Sequence, residues 1–279
     1  MLNRVIVVLA VLFVLPVVSY SIPHDKLAVY YVYGSDVNVR RKPDLDSPVV
    51  ATLPIASEIY ILEKTKVTTT VDFYTDYWYK ISYYNKKKFE QYGYVWGGFI
   101  ANQSFRIDLD NDGSDELLLV RNFTEGLYSQ VNEEVKNIGS SDNPYLQLKI
   151  IKKGVLVNSL NISCPGESRS MSAEVIRPSG FDIQMNILHI NYGCSGETSG
   201  SFDNYYLVSG DNLKLFLSLD NNSEGGDSAA YEVLFPEDKG GKPKRIVVKS
   251  IESSYGQKDI VRYDEYIWNK SKSIFQQID

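Results

Sequence analysis

The sequence predicts an all-β protein, and three observations carry that prediction. Helical periodicity is nearly absent, while apolar and polar residues alternate with a period of two in one segment after another. Residues that suit half-buried strands (Tyr, Val, Ile and Thr) are plentiful, with 21 tyrosines in 279 residues. Clusters of Gly, Asn, Asp and Ser separate the alternating runs and supply turns. A composition of 43% hydrophobic and 23% charged residues fits a globular chain with a real core and room for two domains.

The N-terminus has the pattern of an export signal over residues 1–21. Arg4 supplies positive charge, Val5 to Val18 is apolar with Pro16 near its end, and Ser19-Tyr20-Ser21 offers small residues, Ser19 and Ser21, at the two positions that a signal peptidase inspects. The apolar run falls short of the roughly 20 residues that a membrane span needs. No cysteine follows it for lipid attachment. The mature chain is expected to begin near Ile22, secreted or periplasmic, with no transmembrane segment after cleavage.

Strand cues then follow in a fixed order. Val37, Asn38, Val39 and Arg40 precede the turn-forming Pro43, and Val49 to Leu53 reads as a short strand. Ile59 to Leu62, Trp78 to Ile81 and Gly93 to Ile100 continue the series. The basic run Lys86 to Lys88 lies between strand-like segments and is expected at a solvated hairpin tip.

This succession of a VNVR opening, a WYKI centre and a GYV close resembles the bacterial SH3 (SH3b) family, over residues 27–102. The resemblance implies an SH3-like small barrel, about a quarter of the chain, with an aromatic-lined groove for a cell-wall peptide or another extended ligand. Tyr and Trp suit such a groove because they give large rigid contact area at low rotamer cost. The candidates are Tyr74, Tyr77, Tyr79, Tyr94 and Trp96. Every second aromatic is instead expected in the core, so Trp78 should point inward and Tyr77 and Tyr79 outward. Arg40 is expected to partner a carbonyl or carboxylate. The chain departs from the family by lengthening Thr65 to Asp76 and Tyr83 to Tyr92, and such additions are expected to frame the groove.

Residues 103–279 form the second region, expected to be an antiparallel β sandwich or meander entered through an acidic hairpin at 108–116. Asp108, Asp110 and Asp112 offer side-chain oxygens at alternate positions, Gly113 permits a sharp turn, Ser114 offers its carbonyl and Glu116 adds a further carboxylate. Clustered anions repel one another unless a cation neutralises them, and oxygen ligands without His or Cys favour calcium. The twelfth position is Leu119, not the Glu of a helix-loop-helix calcium hand. The loop is similar to the Asp-x-Asp-x-Asp-Gly hairpin of FG-GAP and VCBS-type β repeats, here present once. Its alternative is a solvated acidic turn in which Asp and Gly serve geometry only. Asp220, Asn222, Glu224 and Gly225 form a weaker echo, expected to be an ordinary polar turn.

Further strands are expected where Leu146, Leu148 and Ile150, then Ile183, Met185 and Ile187, and then Leu213, Leu215, Leu217 and Leu219 alternate with other residues. Tyr263 to Phe275, with Trp268, is expected to form the last strand pair. Leu127 to Asn143 is polar and suits a short helix or a long loop. The two cysteines, Cys164 and Cys194, favour a disulfide in an oxidising compartment, which would stabilise by roughly 3–4 kcal/mol on the chain-entropy model. Two buried free thiols, or a Cys paired with His189, are the alternatives.

A net charge of -6 and a pI near 5.1 argue against a nucleic-acid partner. No Cys-His-polar constellation, HExxH helix or Gly-x-Ser-x-Gly elbow is present, so no enzyme is expected. The expected function is an exported binding protein that recognises a cell-wall or envelope peptide or glycan. An accessory or catalytic component of a cell-wall hydrolase, and a surface protein that binds another protein, are the alternatives.

Overall fold

A computed structural model describes residues 28–72, 74–110, 112–122, 145–163, 168–194, 199–210, 212–224 and 227–278. The expected export signal, the polar 127–143 segment and the Cys164–Cys194 pairing lie outside the described residues. The described residues are built almost wholly of β-strands, with one 3-10 turn at Gly97–Phe99 and no α-helix. None of them forms a helix long and apolar enough to cross a membrane.

The first unit contains β1 (Val29–Tyr31), β2 (Val37–Arg40), β3 (Val49–Leu53), β4 (Glu58–Val71), β5 (Tyr74–Tyr84) and β6 (Glu90–Trp96). They pair in the order β1-β4-β5-β6-β2-β3, with a bridge from Val32 to Ile100 beyond the strands. Inside lie Val32, Val37, Val39, Leu53, Ile59, Ile81 and Val95. Burying each such side chain contributes about 1.5–3 kcal/mol, so this face drives the closure. Two expectations read from the sequence hold here. Arg40 donates to the Ser47 carbonyl at 2.7 Å, and the Lys86 to Lys88 run sits in the turn between β5 and β6.

The lengthened Thr65 to Asp76 stretch is strand rather than loop. It extends β4 and β5 into a two-stranded arm, in register from Tyr60 opposite Ser82 to Val71 opposite Tyr74 with two irregularities. Thr69 secures this arm to the barrel. Its hydroxyl accepts from the Trp78 indole at 2.7 Å and its carbonyl accepts from the Trp96 indole at 2.9 Å.

A four-stranded sheet follows, made of β7 (Gln103–Ile107), β8 (Glu116–Asn122), β9 (Tyr145–Lys152) and β10 (Val155–Ser163), in the order β10-β9-β8-β7. All seven residues of β8 are buried. The run Leu117 to Val120 is continuous rather than alternating because both faces of this strand are covered. Leu118 and Val120 face the eight-stranded sheet, while Leu117 and Leu119 pack with Tyr31, Tyr33 and Ile151 against the barrel.

The remaining strands form an antiparallel meander: β11 (Ser168–Ile176), β12 (Asn186–Cys194), β13 (Ser199–Ser209), β14 (Asn212–Glu224), β15 (Asp227–Leu234), β16 (Arg245–Ser253), β17 (Ile260–Asn269) and β18 (Ile274–Ile278). One face of β11 to β13 packs on the four-stranded sheet through Ala173, Leu188, Ile190 and Tyr192. The other face gathers Ile187, Leu207, Leu217, Leu219, Ile246, Val248 and Phe275 into a second core.

Three local readings change. The four alternating leucines of β14 do not share a face, because a bulge at Phe216 leaves Tyr205 opposite Leu217 and Tyr206 opposite Leu215. Leu213 therefore packs toward the first core, Leu215 is exposed, and Leu217 and Leu219 join the second. Ile183 and Met185 precede β12 as irregular chain, although both still pack in the second core. Asp220, Asn222 and Glu224 are not the polar turn expected of them but lie on β14, in ladder pairing with β13 and β15. The last strand pair, β17 and β18, forms as expected.

Candidate functional site

A groove of 410 Å³ lies where the β4–β5 arm meets the start of the second region. Strand alternation places Trp78 inward at 1% exposure, leaving Tyr77 outward at 39%. Tyr79 lines the groove while its ring also packs on the barrel core. The Lys64 ammonium lies 3.9 Å from the Tyr77 ring centroid, a cation–π contact that fixes the outward ring without burying it. Tyr30 completes the aromatic lining.

The floor is charged and paired. Arg121 of β8 donates to the Asp76 carboxylate at 2.8 Å and to the Ile100 carbonyl at 3.0 Å. The other Asp76 oxygen accepts from the Tyr77 amide at 2.7 Å. Both side chains are largely buried, so their charges are not free to follow solvent. Gly97 forms the wall: a Cβ there would lie 2.7 Å from both the Asp76 carboxylate and the Tyr79 ring. Any larger residue would therefore fill the groove. An apolar aromatic wall beside a cation and a fixed carboxylate can take an extended ligand with polar groups along its length.

Two of the five candidate aromatics, Tyr77 and Tyr79, line this groove, and the other three lie elsewhere. Tyr74 sits at the end of the arm opposite Val71. Tyr94 is on β6, opposite Lys80 and Arg40. Trp96 is 5% exposed, its indole N–H bonded to the carbonyls of Thr69 and Asp76, and its ring packs edge-on against Phe99. It belongs to the wall behind the groove rather than to its face. Of the two lengthened stretches, the β4–β5 arm lines the groove, whereas the β5–β6 hairpin does not.

The acidic hairpin lies between β7 and β8 and is anchored from both sides. Leu109 points into the core at 2% exposure, and Asn186 donates to the Asp108 carbonyl at 2.8 Å. Asp108 caps the turn, accepting from the amides of Asp112 at 3.0 Å and Gly113 at 2.9 Å. Gly113 has φ of 87°, a left-handed conformation that suits glycine. Asp108, Asp110 and Glu116 each offer an oxygen within 4.8 Å of the others. Ser114 turns its amide and hydroxyl to Asp112.

A cation already stands among these groups. The Lys152 ammonium pairs with Asp110, with Asp112 at 2.9 Å and with Glu116 at 3.3 Å. The Ser114 hydroxyl, and after it Lys152, hold the Asp112 carboxyl well below its usual range. Asp110 and Asp112 hold the Lys152 ammonium above its own. Glu116 is 2% exposed; one oxygen accepts from the Leu109 amide at 2.8 Å, and the other meets only the ammonium, without hydrogen-bond geometry. The donor set is all oxygen and suits a hard cation.

A third polar cluster crosses β11 to β14. His189 bridges Glu174 and Asp203, each at 2.7 Å, and stacks on Tyr205 with centroids 4.4 Å apart. Asn191 and Asn221 also donate to Asp203. Burial pulls the His189 pKa down, but the two carboxylates outweigh it and raise it. Both ring nitrogens are committed to these carboxylates.

Residues 35–101 match the family model described as bacterial SH3 domain. Neither the curated proteins nor the solved structures yield a match to the chain. The chain therefore carries a bacterial SH3 domain, followed by further antiparallel β structure.

Proposed function

We propose that this is an exported, non-catalytic binding protein whose groove takes an extended cell-wall or envelope ligand, peptide or glycan. The observation that supports it most is the meeting of exposed Tyr77, Lys64 and the Asp76–Arg121 pair in one open groove on a bacterial SH3 domain. Tyr77 and Tyr79 would stack against the ligand, and Lys64 would meet its acidic or carbonyl groups. Tyr74 and Tyr94 would act only if a long ligand runs beyond the groove, and Trp96 would support the wall. Co-sedimentation with purified peptidoglycan tests this reading. Enrichment in the pellet over a control protein is expected, and equal partition would overturn it. Loss of turbidity in the same suspension would reveal a hydrolase instead, and pelleting only with extracellular proteins would reveal a protein-binding role.

Export is read from residues 1–21, and N-terminal sequencing of the mature chain should begin near Ile22. Cys164 and Cys194 would then meet an oxidising compartment, where mass spectrometry of the unreduced chain should find them joined.

The acidic hairpin would support the binding region rather than bind the wall. Asp108, Asp110, Asp112 and Glu116 would hold calcium, with Lys152 moving aside and Ser114 turning its carbonyl inward. Calcium would supply fixed positive charge that ties β7 to β8. A ligand that binds only the native state raises its melting midpoint. A rise with calcium over chelator is expected, whereas an unchanged midpoint and no bound metal would remove calcium from the account.

A further inference from the structure

A second cavity, of 490 Å³, opens at one end of the eight-stranded sheet, far along the chain from the SH3 domain. It lies between the irregular chain before β12, the start of β16 and the end of β17. Its wall is Trp268, half-buried, with Phe181 beside it. The indole plane is fixed from behind, since Phe275 meets Trp268 edge-on at 5.3 Å and is itself held by Phe181 at 5.6 Å and Phe216 at 4.9 Å.

Lys244, Arg245 and Lys270 line this cavity against one carboxylate, Asp182. That local excess of positive charge stands on a chain whose net charge is -6. The pairing of these cations is loose. Lys244 meets Asp182 at 2.8 Å, but both side chains are well over half exposed. Arg245 shares Glu265 with Lys242. Among the described residues Lys270 makes no ion pair. Lys244 also has φ of 60°, a left-handed conformation that a glycine would adopt without strain. A long cation therefore stands at the cavity rim, in a turn where a glycine would be less strained.

We propose that this cavity is a second binding site, for an anionic saccharide. A sugar presents an apolar C–H face that stacks on an indole, and its carboxylate or phosphate would sit between Lys244 and Lys270. Its hydroxyls would bond to Arg245 and Asp182, replacing the exposed Lys244–Asp182 contact. A volume of 490 Å³ falls in the range of small-ligand sites, about 300–1,000 Å³. The cavity offers the face of Trp268 to the apolar side of a sugar ring.

Tryptophan emission reads this site directly. The chain has three tryptophans, and Trp78 and Trp96 are 1% and 5% exposed, so Trp268 is the one in contact with solvent. Titrating the purified full chain at low salt with oligogalacturonate should give a saturable change in emission. A neutral oligosaccharide, maltotriose, should bind at least tenfold more weakly. Lys270→Glu, on an exposed turn, should weaken oligogalacturonate at least tenfold without moving the melting midpoint, and Tyr77→Ala should leave it unchanged. That last variant separates this site from the SH3 groove. No saturable change would overturn the proposal, as would equal binding of maltotriose or unaltered binding by Lys270→Glu. Polyglutamate binding as tightly as oligogalacturonate would show charge alone and overturn the saccharide assignment.

Discussion

The Asp76–Arg121 pair beneath the groove and the Lys152 cluster in the acidic hairpin use the same chemistry at different depths. Arg121 and Asp76 are 8% and 17% exposed as side chains, whereas Lys152 is 26% and two of its three partners, Asp110 and Asp112, are 33% and 39%, with only Glu116 deeper at 3%. Buried charges must keep their partner, while exposed ones can exchange it for water or another cation. The first pair therefore shapes a fixed floor, and the second forms a cluster whose cation can be replaced.

The sharpest break of that comparison is Arg121→Ala. It leaves the Asp76 carboxylate buried without its cation and should cost about 3–5 kcal/mol in chemical denaturation. A loss below about 1 kcal/mol would put this pair in the same class as exposed ones. Lys152→Gln should lower the melting midpoint in chelator, because it leaves the buried Glu116 carboxylate without its cation, yet make the midpoint respond more strongly to calcium than the parent does. Equal calcium responses would show that Lys152 does not compete for the carboxylates.

His189 stands between these extremes, and its pH response sharpens the scale. Its folded pKa is raised above the ordinary 6.5, so its contribution to stability is fully present below that value. That contribution is lost as pH rises through the folded pKa. Stability should therefore fall on going from pH 6 to pH 9, and His189→Gln should flatten that part of the profile. An identical profile in the variant would remove His189 as the cause. Tyr77→Ala should have the smallest effect on stability, within about 0.5 kcal/mol, because the ring packs on the surface.

The sequence made some of this legible and hid the rest for physical reasons. The VNVR segment, Trp78 inward and Tyr77 outward depend on strand alternation, a local property. The long β4–β5 arm read as a loop because its Thr- and Lys-rich strands bury little, and Thr69 and Asp76 tie them to Trp78 and Trp96. Arg121 lies 45 residues from Asp76, and Lys152 lies 40 from Asp112. Neither pairing has a local signal, so the groove floor and the built-in cation emerge only from sheet topology. The bulge at Phe216 likewise shifts a clean leucine alternation between two cores. Trp96, an obvious ligand candidate by residue type, is claimed by the wall because its N–H finds two carbonyls.

The groove is tested most directly by calorimetric titration of soluble muropeptides, released from purified peptidoglycan, into the parent chain and into a Tyr77→Ala, Lys64→Ala variant. The parent should show saturable heat, and the variant should bind at least tenfold more weakly with its melting midpoint retained. Equal affinity in a folded variant would contradict the assignment of this groove.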